Sequence, residues 1–229
     1  MTIKETLVLI TEQNHNVSID MMYARADNFT SHVIYPHAHC FLHPQAEAGL
    51  RKAVDAAKAF GFRLKIFDAY RPQEAQEALW AVLPVPGYVA DPAKGSNHTR
   101  GVAIDLTLLD ATGAELDMGT PVDTMTPASH HFYPALPPSV LVNRMYLLTI
   151  MLEAGFVHHA NEWWHYQLPD AKGFPLLISP VLGSGRARLD QRRRLFGIHA
   201  CHLHVRIKRQ RHTHAALEKA LGLAEQANV

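Results

Sequence analysis

Two histidines, one aspartate and one glutamate have the residue types and the spacing of a hydrolytic metal site. His98 and Asp105 lie in the segment Ser-Asn-His-Thr-Arg-Gly-Val-Ala-Ile-Asp, and His165 closes the segment Glu162-Trp-Trp-His. Two neutral imidazoles and one carboxylate form a ligand set suited to catalytic zinc, which leaves a coordination position open for water. The carboxylate of Glu162 could accept a proton from that water. We therefore expect a zinc hydrolase.

Each of these signals has a structural alternative when it is taken alone. The chain has 16 histidines, so His98 by itself would more often be an ordinary loop residue. Asp105 stands inside an apolar run, where a buried and unpaired carboxylate is costly; metal ligation or a salt bridge to an arginine would remove that cost. Glu162 and His165 would share a face on a helix, whereas on a strand a turn or bulge must lie between them.

A further candidate lies in the segment Asp68-Ala-Tyr-Arg-Pro. Arg71 follows a predicted core strand and precedes a predicted helix, and such rigid scaffold positions a functional cation well. Its guanidinium could stabilise the oxyanion of a tetrahedral intermediate. The alternative is a surface arginine that pairs with Asp68.

The elements that must position these residues are short strands and three main helices. Apolar spacing predicts helices over 44–60, about 72–83 and 139–154, strands over 62–67 and 102–109, and a strand pair over 156–168. Between them we expect strands and turns over 7–34, a loop over 84–100 and a long ordered loop over 117–138. This order predicts an α+β fold with a small antiparallel or mixed sheet and flanking helices.

Charge divides the chain into two parts. The 229 residues are 48% hydrophobic, which is enough for a substantial core. Residues 183–229 hold ten Lys+Arg and three Asp+Glu, whereas residues 1–182 hold twelve and eighteen, so a body of charge −6 precedes a tail of +7. We expect a catalytic domain over 1–182 and a basic, His-rich extension over 183–229 that is disordered or partly helical, with Ala215–Ala227 as its helix-prone part.

Several classes of protein are disfavoured by composition. Cys40 and Cys201 give neither a disulfide framework nor a CxxC zinc ribbon. The apolar run near the N-terminus is too short for a signal peptide core, and no stretch approaches the roughly 20 apolar residues of a membrane helix. We expect a soluble, cytoplasmic protein without a membrane partner. The basic run 206–212 is more often a solvated tail than a nucleic-acid site, and the oligomeric state is left open.

Six short segments, taken in order, resemble the VanX-type D-alanyl-D-alanine dipeptidases, which are zinc peptidases of the D-Ala-D-Ala metallopeptidase group. The segments are Ala26–Thr30, Asp68–Pro72, Ser96–Thr107, Asp117–Thr120, Ser129–His131 and Glu162–His165, and the resemblance spans about residues 5–180. It implies the compact α+β fold shared with some D,D-carboxypeptidases and the Hedgehog signalling domain. The chain departs from the family at Ser31, where glycine is usual, and past Leu182.

The resemblance also implies a role for each site residue. By this resemblance, the ligands of one zinc ion per subunit are His98, Asp105 and His165. Glu162 matches the general base, and Arg71 matches the group that stabilises the oxyanion. Ser96 and Asp123 match substrate-binding positions, and Tyr23 matches a residue of the pocket wall.

The implied reaction is hydrolysis of the free dipeptide D-Ala-D-Ala to two D-alanines. A closed site that pairs both charged ends of a dipeptide would reject longer peptides, because an unpaired buried charge is penalised. Two alternatives remain: a related zinc D,D-carboxypeptidase that acts on longer cell-wall peptides, and a non-catalytic, zinc-stabilised binding module.

Overall fold

The computed structural model describes residues 7–177 of the chain, which form two sheets and four α-helices. The strands are β1 (Val8–Ile10), β2 (Ser18–Ile19), β3 (Cys40–Leu42), β4 (Arg63–Asp68), β5 (Ala103–Leu109), β6 (Val157–His159) and β7 (Glu162–Gln167). The helices are α1 (Glu12–His15), α2 (Pro44–Ala59), α3 (Gln73–Val82) and α4 (Pro138–Glu153). The predicted extension over 183–229, with its helix-prone part, lies outside the described residues.

The main sheet is mixed, as the sequence predicts. Its strand order is β2-β4-β5-β7-β6, with β2 parallel to β4 and the other pairs antiparallel. Strands β1 and β3 form a separate antiparallel pair. The three predicted main helices and the predicted strands are confirmed to within two residues at each end. No helix in this part of the chain has the length and hydropathy needed to cross a bilayer.

One short helix was not expected from the sequence. Residues 12–15 form a single helical turn where strands and turns are predicted. The Thr11 hydroxyl accepts a hydrogen bond from the backbone N–H of Asn14 at 3.2 Å, which caps the turn. Asn16 closes it in the left-handed conformation at φ 52°. Asparagine tolerates that conformation better than most residues, so the helix ends after one turn.

The core lies between the main sheet and helices α2 and α4. These helices pack on each other, and they also contact β4 and β6 respectively. Leu64, Ile66 and Leu106 are fully buried. Gly49 permits a close approach of α2 to the start of β6, because a Cβ at this position would come within 2.7 Å of the Phe156 ring.

The 117–138 loop is ordered by a buried arginine. Arg144 of α4 is 1% exposed and donates hydrogen bonds to the carbonyl oxygens of Met118, Ala128 and His130 at 2.6–2.9 Å. The loop therefore has a fixed course over the domain, although its only regular element is the 3₁₀ turn Pro127–Ser129.

An irregularity in β4 brings three polar residues into one row across the sheet. Ile66 pairs with Leu106, but the next pair is Asp68 with Asp105, which leaves Phe67 as an extra residue. Such a bulge changes which face of the sheet the following side chain occupies. On the other side of β5, Asp105 pairs with His165. Asp68, Asp105 and His165 are therefore neighbours on three adjacent strands.

Candidate active site

The structure brings His98, Asp105 and His165 together as a cluster that could hold a metal ion. His98 Nε2 lies 3.1 Å from His165 Nδ1 and 3.4 Å from Asp105 Oδ2, and His165 Nδ1 lies 3.0 Å from Asp105 Oδ1. All three residues are buried. Asp105 and His165 come from paired strands, whereas His98 comes from the loop that precedes β5.

Neighbouring acceptors decide which nitrogen of each histidine faces the cluster. His98 Nδ1 lies 2.7 Å from the carbonyl oxygen of Ala69, so this nitrogen carries the proton. His165 Nε2 lies 3.1 Å from Gln167 Oε1, which also accepts a hydrogen bond from Asn97 Nδ2 at 2.7 Å. In the neutral rings the lone pairs of His98 Nε2 and His165 Nδ1 therefore point at each other and at the Asp105 carboxylate. This arrangement suits a cation between its donors.

The charge balance of the cluster also favours a cation. Burial by itself would raise the pKa of Asp105, but His98 and His165 hold it well below its usual range. Burial would lower the pKa of His98, yet the neighbouring Asp105 carboxylate raises it. The cluster stabilises positive charge even though it is removed from water.

Glu162 reaches the same cavity because β6 and β7 pair irregularly. His158 pairs with Tyr166, whereas His159 pairs with Glu162, so the chain between Glu162 and His165 bulges away from β6. This is the bulge that Glu162 and His165 need if both are to face one site from a single strand. Glu162 Oε2 lies 3.9 Å from His165 Nδ1. Burial, together with the negative charges of Asp105 and Asp123, holds the pKa of the Glu162 carboxyl well above its usual range.

Arg71 is a buried residue with a fixed orientation. Its Nε and Nη2 donate to Asp68 Oδ2 at 2.9 and 2.7 Å, and its Nη1 donates to Gln76 Oε1 at 3.0 Å. Nη2 also lies 3.7 Å from Asp105 Oδ2, at the edge of the cluster. The sequence alternative was half correct, because Arg71 does pair with Asp68, but it does so inside the cavity wall and not on the surface.

The three predicted substrate-binding residues line the same cavity. The hydroxyl of Tyr23 donates to Asp123 Oδ2 at 2.7 Å. Burial raises the pKa of the Asp123 carboxyl to about 7, although the hydrogen bond from Tyr23 opposes the shift. Ser96 is nearly fully buried, and its hydroxyl accepts a hydrogen bond from the backbone N–H of His98 at 3.2 Å.

Two loops and one hairpin turn contact one another beside this cavity. Tyr88, from the loop before β5, lies with its hydroxyl 3.2 Å from His130 Nε2 of the 117–138 loop. The backbone N–H of His131 donates to the carbonyl oxygen of Ala160, in the turn between β6 and β7, at 2.9 Å. The cavity has a volume of about 170 Å³, and its apolar wall includes Phe29, Leu79, Val89, Met125 and Trp164. It is smaller than the roughly 300–1,000 Å³ typical of pockets for drug-sized ligands.

Several residues that support the cluster are not predicted from the sequence. Gln167 could have been found from its spacing, because residues two apart on a strand share a face with each other. The contacts of Gln76 carry no such signal: its amide accepts from Arg71 and donates to the carbonyl oxygen of Ala90 at 2.7 Å. His159 also lines the cavity, and its position depends on the irregular pairing of β6.

Comparison with known proteins gives a consistent assignment. Residues 4–181 match the family model described as D-ala-D-ala dipeptidase, in peptidase group M15. The chain is 48% identical to the D-alanyl-D-alanine dipeptidase of Escherichia coli (strain K12) over 162 residues, which are 71% of this chain and 84% of that protein. It is 35% identical over 188 residues to the enzyme of that name from Enterococcus faecalis (strain ATCC 700802 / V583), covering 71% and 91% of the two chains. Over 182 residues, 66% of this chain and 85% of the other, it is also 35% identical to the Streptomyces coelicolor protein of the same name. The chain belongs to the D-Ala-D-Ala dipeptidase family of peptidases.

Proposed function

We propose that this protein hydrolyses the free dipeptide D-Ala-D-Ala to two D-alanines, with one zinc ion held by His98, Asp105 and His165. The family and the names of the relatives support the substrate. The geometry of the cluster supports the metal and its ligands.

The observation that carries the proposal is the spacing of three converging donor groups, two imidazoles and one carboxylate. In a tetrahedral zinc site with bonds of ~2.0–2.1 Å, two ligand atoms lie about 3.3 Å apart. His98 Nε2 lies 3.1 Å from His165 Nδ1, and the Asp105 carboxylate approaches both nitrogens, with Oδ2 at 3.4 Å from His98 Nε2 and Oδ1 at 3.0 Å from His165 Nδ1. Both imidazoles are held in the tautomer that directs a lone pair into the cluster. Nitrogen and carboxylate donors of this kind suit zinc.

Zinc, when bound here, would act as a Lewis acid that polarises the peptide carbonyl and lowers the pKa of water. The protein's own groups then account for the remaining chemistry. Glu162 accepts a proton from the attacking water and transfers it to the nitrogen of the departing D-alanine. Arg71, fixed by Asp68 and Gln76, stabilises the negative charge that develops on the carbonyl oxygen.

Recognition of the two charged ends of the dipeptide accounts for the specificity of the enzyme. Asp123, supported by the Tyr23 hydroxyl, binds the free ammonium group, and Ser96 with neighbouring backbone N–H groups binds the carboxylate. A cavity of about 170 Å³ suits a small ligand. A longer peptide would place an uncharged amide against Asp123, leaving a buried carboxylate without its partner.

The number of protein ligands argues against a purely structural metal site. Structural zinc is almost always held by four protein ligands. Within residues 7–177 three metal-ligating groups converge. Glu162 is not one of them, and its Oε2 lies 3.9 Å from His165 Nδ1. A structural site would also have no use for the buried Arg71.

The test is zinc-dependent release of D-alanine from D-Ala-D-Ala, with L-Ala-L-Ala as control. Glu162→Gln should retain one zinc per chain and lose about 10²–10⁴-fold in kcat, the usual contribution of a general base. Substantial residual turnover in that variant would overturn the assignment of the base. Faster cleavage of an N-acylated or extended peptide than of the free dipeptide would instead identify a D,D-carboxypeptidase.

A further inference from the structure

Within the described part of the chain, no hydrogen-bond donor holds the carboxylate of Glu162 in place. Among residues 7–177 it forms no hydrogen bond, and two side-chain nitrogens approach its Oε2: His159 Nδ1 at 3.6 Å and His165 Nδ1 at 3.9 Å. His165 Nδ1 directs its lone pair into the metal cluster, so it has no proton to donate. A catalytic base is commonly oriented by a third group, and His159 is the residue placed to do this for Glu162.

The backbone fixes His159 opposite Glu162. The two residues are directly paired at the end of the β6–β7 hairpin, with only the turn 160–161 between them. Side chains of directly opposed residues in an antiparallel pair lie on the same face of the sheet. The His159 ring also packs edge-on against the His165 ring, with centroids 5.6 Å apart, and it lines the cavity. The packing limits how far the imidazole can move from Glu162.

The Nδ1 atom of His159 is buried and has no hydrogen-bond partner within the described residues. An unpaired buried nitrogen is unusual, because burial without a partner costs free energy. Glu162 is itself only 6% exposed, and within residues 7–177 its carboxylate accepts no hydrogen bond. Hydrogen bonds of catalytic groups are often long in the free protein and shorten in the working complex. A small rotation of either side chain would join the two groups.

We propose that His159 is a positioning residue whose Nδ1–H donates to Glu162 Oε2 and so directs Oε1 toward the attacking water. The inference rests on the proposed function, because it assigns Glu162 as the base. His159 does not contact the substrate's reacting atoms in this role. Its effect should therefore appear in kcat and not in KM.

Three substitutions at position 159 separate this role from simple packing. In His159→Asn the amide nitrogen takes the place of Nδ1 and keeps a donor beside Glu162. His159→Leu keeps an apolar volume without a donor, and His159→Gln carries its nitrogen farther out, near the position of Nε2. We expect kcat for D-Ala-D-Ala to fall about 10–100-fold in the Leu and Gln variants, the range usual for supporting residues around a metal site. The Asn variant should stay within about threefold of the unchanged protein, with KM similar throughout.

The neighbouring histidine provides a matched control. His158 packs against the rings of His131 and Phe132, with centroids 5.2 Å away in each case, and it does not approach Glu162. His158→Leu should leave kcat unchanged. Urea midpoints for all variants would show whether any loss of kcat arises from unfolding. Equal kcat in His159→Leu and the unchanged protein, or equal losses in the Asn and Leu variants, would overturn the proposal.

A second measurement does not depend on the substrate. In the full-length, zinc-loaded protein, proton NMR should show a downfield, slowly exchanging Nδ1–H of His159 that disappears in Glu162→Ala. If the unchanged protein failed to cleave D-Ala-D-Ala, the proposed function would fall and this signal would decide the pairing by itself. Its absence would refute the pairing even in an active enzyme.

Discussion

Replacement of Asp68 by asparagine tests whether the cavity wall depends on a buried ion pair. Asp68 is fully buried and accepts four hydrogen bonds. Its Oδ1 accepts from the Tyr35 hydroxyl at 2.7 Å and the Ala69 backbone N–H at 2.9 Å. Its Oδ2 accepts from Nε and Nη2 of Arg71 at 2.9 and 2.7 Å.

Asparagine has the same shape but must place an NH₂ group where one oxygen was. If the NH₂ group is turned toward Arg71, it faces the N–H donors of Nε and Nη2, and the guanidinium loses both hydrogen bonds. Turned the other way, it leaves the Ala69 N–H without an acceptor. In either orientation the buried Arg71 loses the charge partner nearest to it and keeps only Asp105, whose Oδ2 lies 3.7 Å from Nη2. Removal of one member of a buried ion pair costs about 3–5 kcal/mol, so Asp68→Asn should lower the free energy of unfolding by about that amount.

Urea denaturation measures this change. With a slope of about 2 kcal/mol per M, the expected loss shifts the midpoint down by about 2 M. Asp27→Asn is the matched control, because Asp27 is an exposed carboxylate that accepts a hydrogen bond from Arg25 Nε at 2.9 Å. That variant should show no measurable change, since exposed ion pairs contribute little. A midpoint for Asp68→Asn no lower than that of Asp27→Asn would refute the reasoning.

Three further predictions concern the substrate site, a loop and the tail. Burial raises the pKa of Asp123 to about 7, and only its ionised form binds an ammonium group; KM for D-Ala-D-Ala should therefore fall as the pH rises through about 7. Asp123→Asn should raise KM and abolish this trend, and a flat KM profile in the unchanged protein would contradict the assignment. Ser31 lies in the left-handed region at φ 58°, so Ser31→Gly should stabilise the fold by about 0.5–1 kcal/mol in the same urea assay, whereas Ser31→Ala should not. Truncation after Leu182 should leave kcat/KM for the dipeptide unchanged, and an inactive or unfolded product would show that the domain extends further.

Local sequence signals were sufficient for the three main helices, for the predicted strands and for the residues of the cluster. Helix α2 is predicted by Pro44 near its start and by the helical spacing of Ala46, Leu50, Val54 and Ala57; these spaced residues are all buried except the half-buried Val54. The apolar run that contains Asp105 is confirmed as a fully buried strand. The family motifs predicted which side chains meet in the cavity, and the structure does place them together. Their individual roles stay predictions.

The remaining features depend on contacts between distant segments. Arg144 lies in a helix that the sequence predicts well. Nothing in the adjacent sequence, however, indicates that its guanidinium binds three carbonyl groups of the 117–138 loop. The bulge at Phe67 is similarly hidden, because alternation along β4 would continue just as well without it. Such features follow from how strands and loops meet, which a local pattern of residues does not record.

The row of Asp68, Asp105 and His165 across β4, β5 and β7 has a consequence for how the protein matures. Strand pairing that slipped by one residue would turn Asp105 to the opposite face of the sheet and separate it from His165. A chain folded in that way would lack the paired donors that the proposed metal site requires. Because binding stabilises only the state that binds, metal uptake would selectively retain chains with correctly aligned strands.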